Sequence, residues 1–341
     1  MKKKVTMQDI ANELNISKNS VSQALTGKPG VSEETRFMVQ QMANRLGYTY
    51  PGNKPASKTL GQKKGLNFAL IASDFAFSLK SFFGEIYLSV EKEARARGIN
   101  LFIESIDQTS ADQLTLPSLL TNHQIDGILI LSHIRDEYIL SIIETGIPVV
   151  LIDHHSPYLQ VDSILTNNRF GAYSAVEHLI KLGHGDIAFV GDTTFSPSYQ
   201  ERLDGYILAL TKHGIEPNPS FIYKKAQEKD EEIQGYIKNL NEAPTAWFCV
   251  NDGLGFLVQS TLQRNGYSVP DDASVCSFDN GQLSQIANPK ITTVNIDLHY
   301  YGKKAVEQLC WRIHNKNEPI HEILLPTNII QRESTSKRKL S

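Results

Sequence analysis

Val5–Gly27 reads V-T-M-Q-D-I-A-N-E-L-N-I-S-K-N-S-V-S-Q-A-L-T-G, and its punctuation decides what the N-terminal segment is. Thr6-Met7-Gln8-Asp9 has the spacing of a capping box, in which a hydroxyl and a carboxylate satisfy free amide donors at a helix start. Ile10, Ala11 and Leu14 then fall on one face at helical spacing. Asn15 tolerates the left-handed backbone that a tight turn between helices needs. Ser17 can cap a second helix, Lys18 to Leu25, with Val21 and Leu25 as its buried face and Lys18, Asn19, Ser22 and Gln23 pointing outward. Thr26-Gly27-Lys28-Pro29-Gly30 breaks the pattern as a loop. Ser32 caps a third helix with Glu33 and Glu34 in its first turn, where the helix dipole favours negative charge. Val39, Met42, Ala43 and Leu46 form its apolar stripe, and Gly47 stops it.

Three short helices with a tight turn between the first two place the second across the first, as a groove-reading helix requires. Its outward side chains suit base edges: Asn19 and Gln23 can each form two hydrogen bonds to adenine, and Lys18 can donate to guanine or to a phosphate. Charge agrees once it is split by position. Residues 1–64 carry 11 Lys and Arg against four acids, a net +7, while the remainder carries −10, for −3 overall. A basic head on an acidic body concentrates polyanion attraction in one small module. A solvated basic tail, or a small helical protein-interaction module, is the bland alternative.

With V-S-E-E-T-R and L-G-Y following, this head resembles the DNA-binding module of the lactose and galactose repressor (LacI/GalR) family. The resemblance implies that Lys18, Asn19 and Gln23 read bases in the major groove and that Thr6, Ser17, Ser22 and Thr26 contact phosphates. Many members carry Arg where Gln23 stands, so the base preference at one operator position is expected to differ. Residues 49–65, T-Y-P-G-N-K-P-A-S-K-T-L-G-Q-K-K-G, form a Pro/Gly/Lys-rich boundary between domains. By the resemblance this stretch is a hinge helix from Pro55, with Ala56 on one side and Leu60 as a minor-groove wedge. The family's spacing is not met, because Leu60 stands four positions after Ala56 rather than three, and a flexible linker is the alternative.

From Leu66 short apolar runs alternate with amphipathic stretches, and the pattern restarts after Val161. The expected fold is therefore a small all-α helix-turn-helix head (1–48) joined to an α/β two-lobed domain with parallel sheets (66–332). The second lobe is expected over about 163–292, and a charged tail over 333–341. D-G-I-L-I-L, P-V-V-L-I-D, E-R-L-D-G-Y, P-T-A-W-F-C-V-N-D and V-P-D-D-A-S-V-C-S-F-D-N resemble the same family's regulatory domain, which is periplasmic-binding-protein-like (type I). Residues matching its ligand pocket are Asp153, Asn251, Asp252 and Asp279 after strands and Arg202 in the E-R-L-D-G-Y helix, with Phe82 and Phe83 in the first lobe. Each has a plainer reading, as a helix cap, a satisfied loop group or, for the Phe pair, core. More Asp than Arg makes a slightly acidic site, and Asp, Asn, Arg and Phe together suit the hydroxyls and apolar face of a neutral sugar.

Other classes lack their signatures. No G-x-G-x-x-G follows the first strand, no P-loop occurs, and no G-x-S-x-G elbow is present. Cys249, Cys276 and Cys310 stand far apart, so neither a disulfide framework nor a zinc cluster is indicated, and a reducing compartment is natural. The His154-His155 pair and His178/His184 lack metal-ligand spacing and are read as structural or pocket-rim groups. No export signal or run of ~20 apolar residues is seen. The expectation is a cytoplasmic, homodimeric, non-enzymatic repressor of carbohydrate genes that needs no cofactor or metal. It would bind pseudo-palindromic operator DNA under control of a small molecule, with a sugar as the expected effector. A sugar sensor without DNA function, or a regulator with a phosphoprotein corepressor, is the alternative.

Overall fold

A computed structural model describes residues 5–26, 30–46, 48, 65–74, 76, 82–131 and 134–339. The chain divides into two compact units, Met1–Lys64 and Gly65–Ser341. In the head, α1 (Met7–Leu14), α2 (Lys18–Thr26) and α3 (Glu33–Leu46) surround a small core of Ile10, Ala11, Val21, Ala24, Val39 and Ala43. The capping signals act as read. The Asp9 carboxylate accepts both the amide and the hydroxyl of Thr6 at 2.7 Å. Ser17 Oγ accepts the Ser20 amide at 3.0 Å, Ser32 Oγ accepts the Thr35 amide at 3.2 Å, and Asn15 turns the chain at φ 51°. One detail differs: Ala24 rather than Leu25 shares the buried face of α2 with Val21, and Leu25 is half-buried at its edge. Arg36 of α3 donates to the Gln23 and Ala24 carbonyls, both at 3.3 Å, closing the free end of α2 against α3.

The second unit holds two six-stranded sheets. The first, in spatial order β11-β5-β4-β3-β1-β2, is wholly parallel. Its strands are β1 (Asn67–Ser73), β2 (Asn100–Ile106), β3 (Gly127–Leu131), β4 (Val149–Ile152), β5 (Asp162–Thr166) and β11 (Glu322–Leu325). Helix α4 (Phe83–Ala96), the short α5 (Gln108–Asp112) and α6 (Ser118–Asn122), α7 (Asp136–Ile143) and α13 (Leu298–His314) belong with it. The second sheet, β12-β10-β9-β8-β6-β7, is parallel except for the antiparallel edge strand β12 (Thr327–Ile330). Its other strands are β6 (Ile187–Val190), β7 (Ile222–Tyr223), β8 (Ala246–Cys249), β9 (Ser274–Asp279) and β10 (Thr292–Ile296). Its helices are α8 (Asn168–Lys181), α9 (Pro197–Lys212), α10 (Asp230–Lys238), α11 (Asp252–Arg264) and α12 (Gln282–Ile286). Strands covered on both faces are buried along their length, which is why β3, β4, β5 and β8 read as apolar or small-residue runs rather than alternations.

Two expected boundaries are corrected. The second lobe does not start at 163: β5 pairs in parallel with β4 and β11 and so belongs to the first sheet. The chain also returns to the first lobe as α13 and β11 before ending in the second, so three strands of chain link the lobes. Residues 333–339 are not a loose charged tail either. Ser334 and Thr335 are buried, Ser334 Oγ donates to the Val275 carbonyl at 2.6 Å, and Thr335 shares a hydrogen bond with Thr292 at 3.0 Å.

Two contacts fix the helices that flank the space between the lobes. Helices α8 and α9 cross closely at Gly205, where a Cβ would stand 2.1 Å from the Arg169 carbonyl, so a side chain there would push α9 away. Helix α13 is anchored by Arg312, which grips Asp162 of β5 with Nε and Nη2 at 2.8 and 2.6 Å. Gln308 and the His321 amide also donate to Asp162, each at 2.8 Å. Burial alone would push that carboxyl up, but these hydrogen bonds outweigh it and hold Asp162 below the usual range.

Candidate functional site

On the head, Lys18 and Asn19 are exposed on α2, and Ser22 and Gln23 are half-exposed on the same helix. Gln23 lays its side-chain amide against Gly30. Thr6 and Ser17 are exposed but their hydroxyls already serve the helix starts, and Thr26 donates to the Ser22 carbonyl at 2.7 Å. Ala56 and Leu60 lie outside the described residues.

In the second unit a cavity of about 500 Å³ lies between the two lobes, at the carboxyl ends of their strands. All seven expected residues line it: Phe82, Phe83, Asp153, Arg202, Asn251, Asp252 and Asp279. Asp153 follows β4 at φ 57° and Asp279 ends β9 at φ 103°, backbone settings that turn each carboxylate off its strand and that non-glycine residues rarely hold. Arg202, from α9, is 2% exposed. Its Nε donates to Asn168 Oδ1 at 2.9 Å and its Nη1 to Asp279 Oδ1 at 3.1 Å and to the Val250 carbonyl. The guanidinium lies 3.8 Å from the Phe278 ring centroid, so it is held flat as well as hydrogen-bonded.

Not every lining residue has a free hand. Asp252 accepts from Thr293 Oγ1 at 2.8 Å, from Ser277 Oγ and from the Gly281 amide, so it fixes the loop after β9. Asn251 caps α11 through the Leu254 amide at 2.8 Å, and its Nδ2 donates to Tyr199 and Glu228, both at 2.7 Å. Phe83 is 5% exposed and completes the first-lobe core, edge-on to half-buried Phe82 at 5.0 Å. These three carry the plainer roles foreseen for them while still facing the cavity.

Asp192, Phe195, Ser196, Ser198, Tyr199, Glu228 and Gln282 also line the cavity and were not read from the sequence. Asp192 follows β6 as Asn251 follows β8 and could have been read the same way, whereas the others sit on loops or on the first turns of α9 and α12, where no strand end marks them. Ser198 Oγ donates to Asp153 Oδ1 at 3.2 Å. Burial pushes Asp153 up to about 7, with Arg202 pulling the other way and Asp279 adding to the rise. Burial and then Asp279 push Asp252 to about 7, and burial raises Asp279 against the pull of Arg202. Asp192 and Glu228 bring the carboxylates facing one guanidinium to five, a more acidic site than the slightly acidic one expected.

His178 and His184 are structural. His178 meets Thr335 at 3.0 Å and His184 meets Thr245 and the Ser336 carbonyl at 3.0 and 3.1 Å, so both fasten the C-terminal segment. Among the described residues no group of three His, Cys, Asp or Glu is placed to hold a metal ion, and no helix is long and apolar enough to cross a membrane.

Residues 6–50 match the model described as "Bacterial regulatory proteins, lacI family", and residues 176–335 match a periplasmic binding protein-like domain. Over 338 residues, 97% of this chain and 99% of the relative, the sequence is 30% identical to the NTD biosynthesis operon regulator NtdR of Bacillus subtilis. A LacI family transcriptional regulator from Enterococcus faecium, solved with bound ribose, is 25% identical with a TM-score of 0.67, covering 80% of this chain and 100% of that one. The lac repressor dimer bound to operator and an anti-inducer shares the fold, with a TM-score of 0.73 at 22% identity over 98% of this chain and 100% of the repressor chain. Head, two-lobed body and full-length similarity coincide, and the chain belongs to the lacI family of bacterial regulatory proteins.

Proposed function

We propose that two copies of this chain hold a pseudo-palindromic operator through paired heads and that a small polyol, a sugar, in the interlobe cavity sets how firmly they hold it. The observation that carries this reading is the convergence of Asp153 and Asp279, at strand ends, with Arg202 of α9 around one cavity of about 500 Å³. Arg202 offers donors, the two aspartates accept from hydroxyls, and Phe82 offers an apolar face, the set a sugar ring needs. The operator-bound lac repressor dimer and the ribose-bound Enterococcus faecium regulator supply the parallel for the two partners.

On the head, Lys18, Asn19 and Gln23 read bases, and Ser22 and Thr26, with Thr6 and Ser17 at the helix starts, lie where phosphates pass. The two ligands are linked through one protein, so the effect of sugar on operator affinity equals the effect of operator on sugar affinity. The ligand leaves the cavity unchanged, and the protein acts in the cytoplasm.

The test is retardation of promoter fragments by the purified protein as salt is raised. Binding should weaken steeply with salt and depend on sequence. Asn19→Ala should lose about 1–3 kcal/mol at one operator position and relax base choice there. Operator selection identical to wild type would remove Asn19 as a reader. Retardation with neither salt nor sequence dependence would end the regulatory reading itself.

A further inference from the structure

We infer that His155 is a positioning residue that acts across the lobes: while its imidazole is charged it holds Glu201 of α9, and through Glu201 and Asn168 it sets where Arg202 stands in the cavity wall. The cavity then answers to pH through a group outside its described lining residues.

His155 lies on the segment after β4, in the first lobe, and two carboxylates bracket its ring. Its Nε2 stands 3.0 Å from Glu201 Oε1, across the boundary between the lobes, and its Nδ1 stands 3.4 Å from Glu322 Oε1 of β11, in its own lobe. Its titratable neighbours on the same segment are engaged elsewhere. His154 pairs with Asp136 of α7 at 3.1 Å, and Asp153 turns to the cavity, where Ser198 donates to it at 3.2 Å. An imidazolium carries an N–H on each nitrogen and serves both carboxylates at once. A neutral ring has one N–H, so its other nitrogen presents a lone pair to a carboxylate.

Glu201 passes the contact on. Its second oxygen accepts Asn168 Nδ2 at 2.9 Å, and Asn168 Oδ1 accepts Arg202 Nε at 2.9 Å. Asn168 is 2% exposed, so its amide depends on these partners. Turned over, it would set its carbonyl oxygen against the Glu201 carboxylate and its NH2 against the guanidinium. The carboxylate therefore dictates which end of Asn168 faces Arg202. Contacts thus run unbroken from the first lobe through His155, Glu201 and Asn168 to Arg202, which ends the chain on Asp279 and the Val250 carbonyl.

The Glu201 hydrogen bond, working against desolvation, lifts His155 above the ordinary histidine value, and Glu322 adds to the rise. With its folded value raised, the tie is fully present below about 6.5 and is lost as pH rises through the folded value. Losing the proton removes charge assistance from the Glu201 contact and roughly halves its strength. Glu201 then loosens from the first lobe, and the Asn168 amide and the Arg202 Nε–H shift with it.

The test is nuclear magnetic resonance of the full-length protein without ligand, following the histidine ring carbons and the Arg202 Nε–H signal between about pH 5 and 8. No outcome then depends on whether the cavity's occupant is a sugar. His155, assigned by its loss in His155→Gln, should titrate above the ordinary histidine value, and Glu201→Gln should bring it down. The Arg202 signal, set apart by the Phe278 ring against which its guanidinium lies, should carry a step at the His155 midpoint. Asp153 and Asp252, each near 7, titrate around the same cavity and add steps of their own. The His155 component is therefore the part that vanishes in both His155→Gln and Glu201→Gln. In Glu322→Gln the histidine midpoint and the arginine step should fall together, because Glu322 helps to charge the ring without crossing between the lobes. The side chains of His155 and Glu201 are 28% and 27% exposed, so neutral replacements at either leave the core intact, and His155→Asn repeats the measurement with a second one. A His155 that titrates at or below the ordinary value, an arginine step that survives His155→Gln or Glu201→Gln, or one that stays behind when Glu322→Gln moves the histidine overturns the inference.

Discussion

Arg312 meets Asp162 inside the first lobe, and Arg202 meets Asp279 in the wall of the cavity between the lobes. The residue types are the same and the surroundings are opposite. At Asp162 one carboxylate receives two guanidinium hydrogen bonds, a side-chain amide and a backbone amide, so every charge is matched and the carboxyl is held low. At Arg202 a single guanidinium serves a space in which two aspartates sit near 7 and a third is raised. A matched pair is an anchor. An unmatched excess, held at backbone angles that aspartate rarely adopts, is poised for something that arrives from outside.

The anchor should show the larger effect when broken. Arg312→Ala leaves Asp162, 1% exposed, as a buried unpaired carboxylate and should cost about 3–5 kcal/mol. Equilibrium urea unfolding of the second unit's transition measures it. A loss below about 1 kcal/mol would mean that the grip on α13 is replaceable and the contrast with the cavity is false.

Proton linkage separates the two regions next. Asp162 has its folded value depressed, so the stability it contributes is present above the unfolded value of about 4 and is lost as pH falls through the folded one. Asp153 runs the other way. With its folded value raised to about 7, its contribution is fully present below about 4 and is lost as pH rises through 7. Without ligand, the wild type should therefore lose on the order of 1–3 kcal/mol relative to Asp153→Asn between pH 4 and 8. The difference between the two proteins is the quantity to measure, because buried His154 and His184 and half-buried His178, all depressed chiefly by desolvation, act with opposite sign near pH 6 in both. Parallel stability curves would show that Asp153 is ionised throughout.

The same physics governs which residues were legible in the sequence. Asp153 and Asp279 were legible because each ends an apolar run, and the end of a parallel strand is where a ligand sits. Arg202 was legible through E-R-L-D-G-Y. Glu228 was not, since K-K-A-Q-E-K-D reads as a solvated charged loop, and only the fold brings its exposed carboxylate over Gly253 at the cavity wall. Ser334 and Thr335 were hidden for a related reason: small polar residues give no apolar signal and become core only where strand ends offer carbonyls and hydroxyls to bond. The strand at β5 was not singled out, and its membership of the first sheet depends on which neighbour it pairs with, information that periodicity does not carry. The head was the most legible part because caps, turn and stripe are all local.

The smallest effect is expected at Asp279. Asp279→Asn weakens the ion pair with Arg202, which destabilises, and removes a charge that pushes up both Asp153 and Asp252, which stabilises. The two contributions oppose, and the side chain is 19% exposed rather than sealed, so the unfolding free energy should stay within about 1 kcal/mol of wild type. The same urea measurement checks it, with ligand titration alongside to show that binding has weakened. A cost matching that of Arg312→Ala would make the cavity's arginine cluster as structural as the anchor, and the acidic excess would then need an explanation other than a ligand.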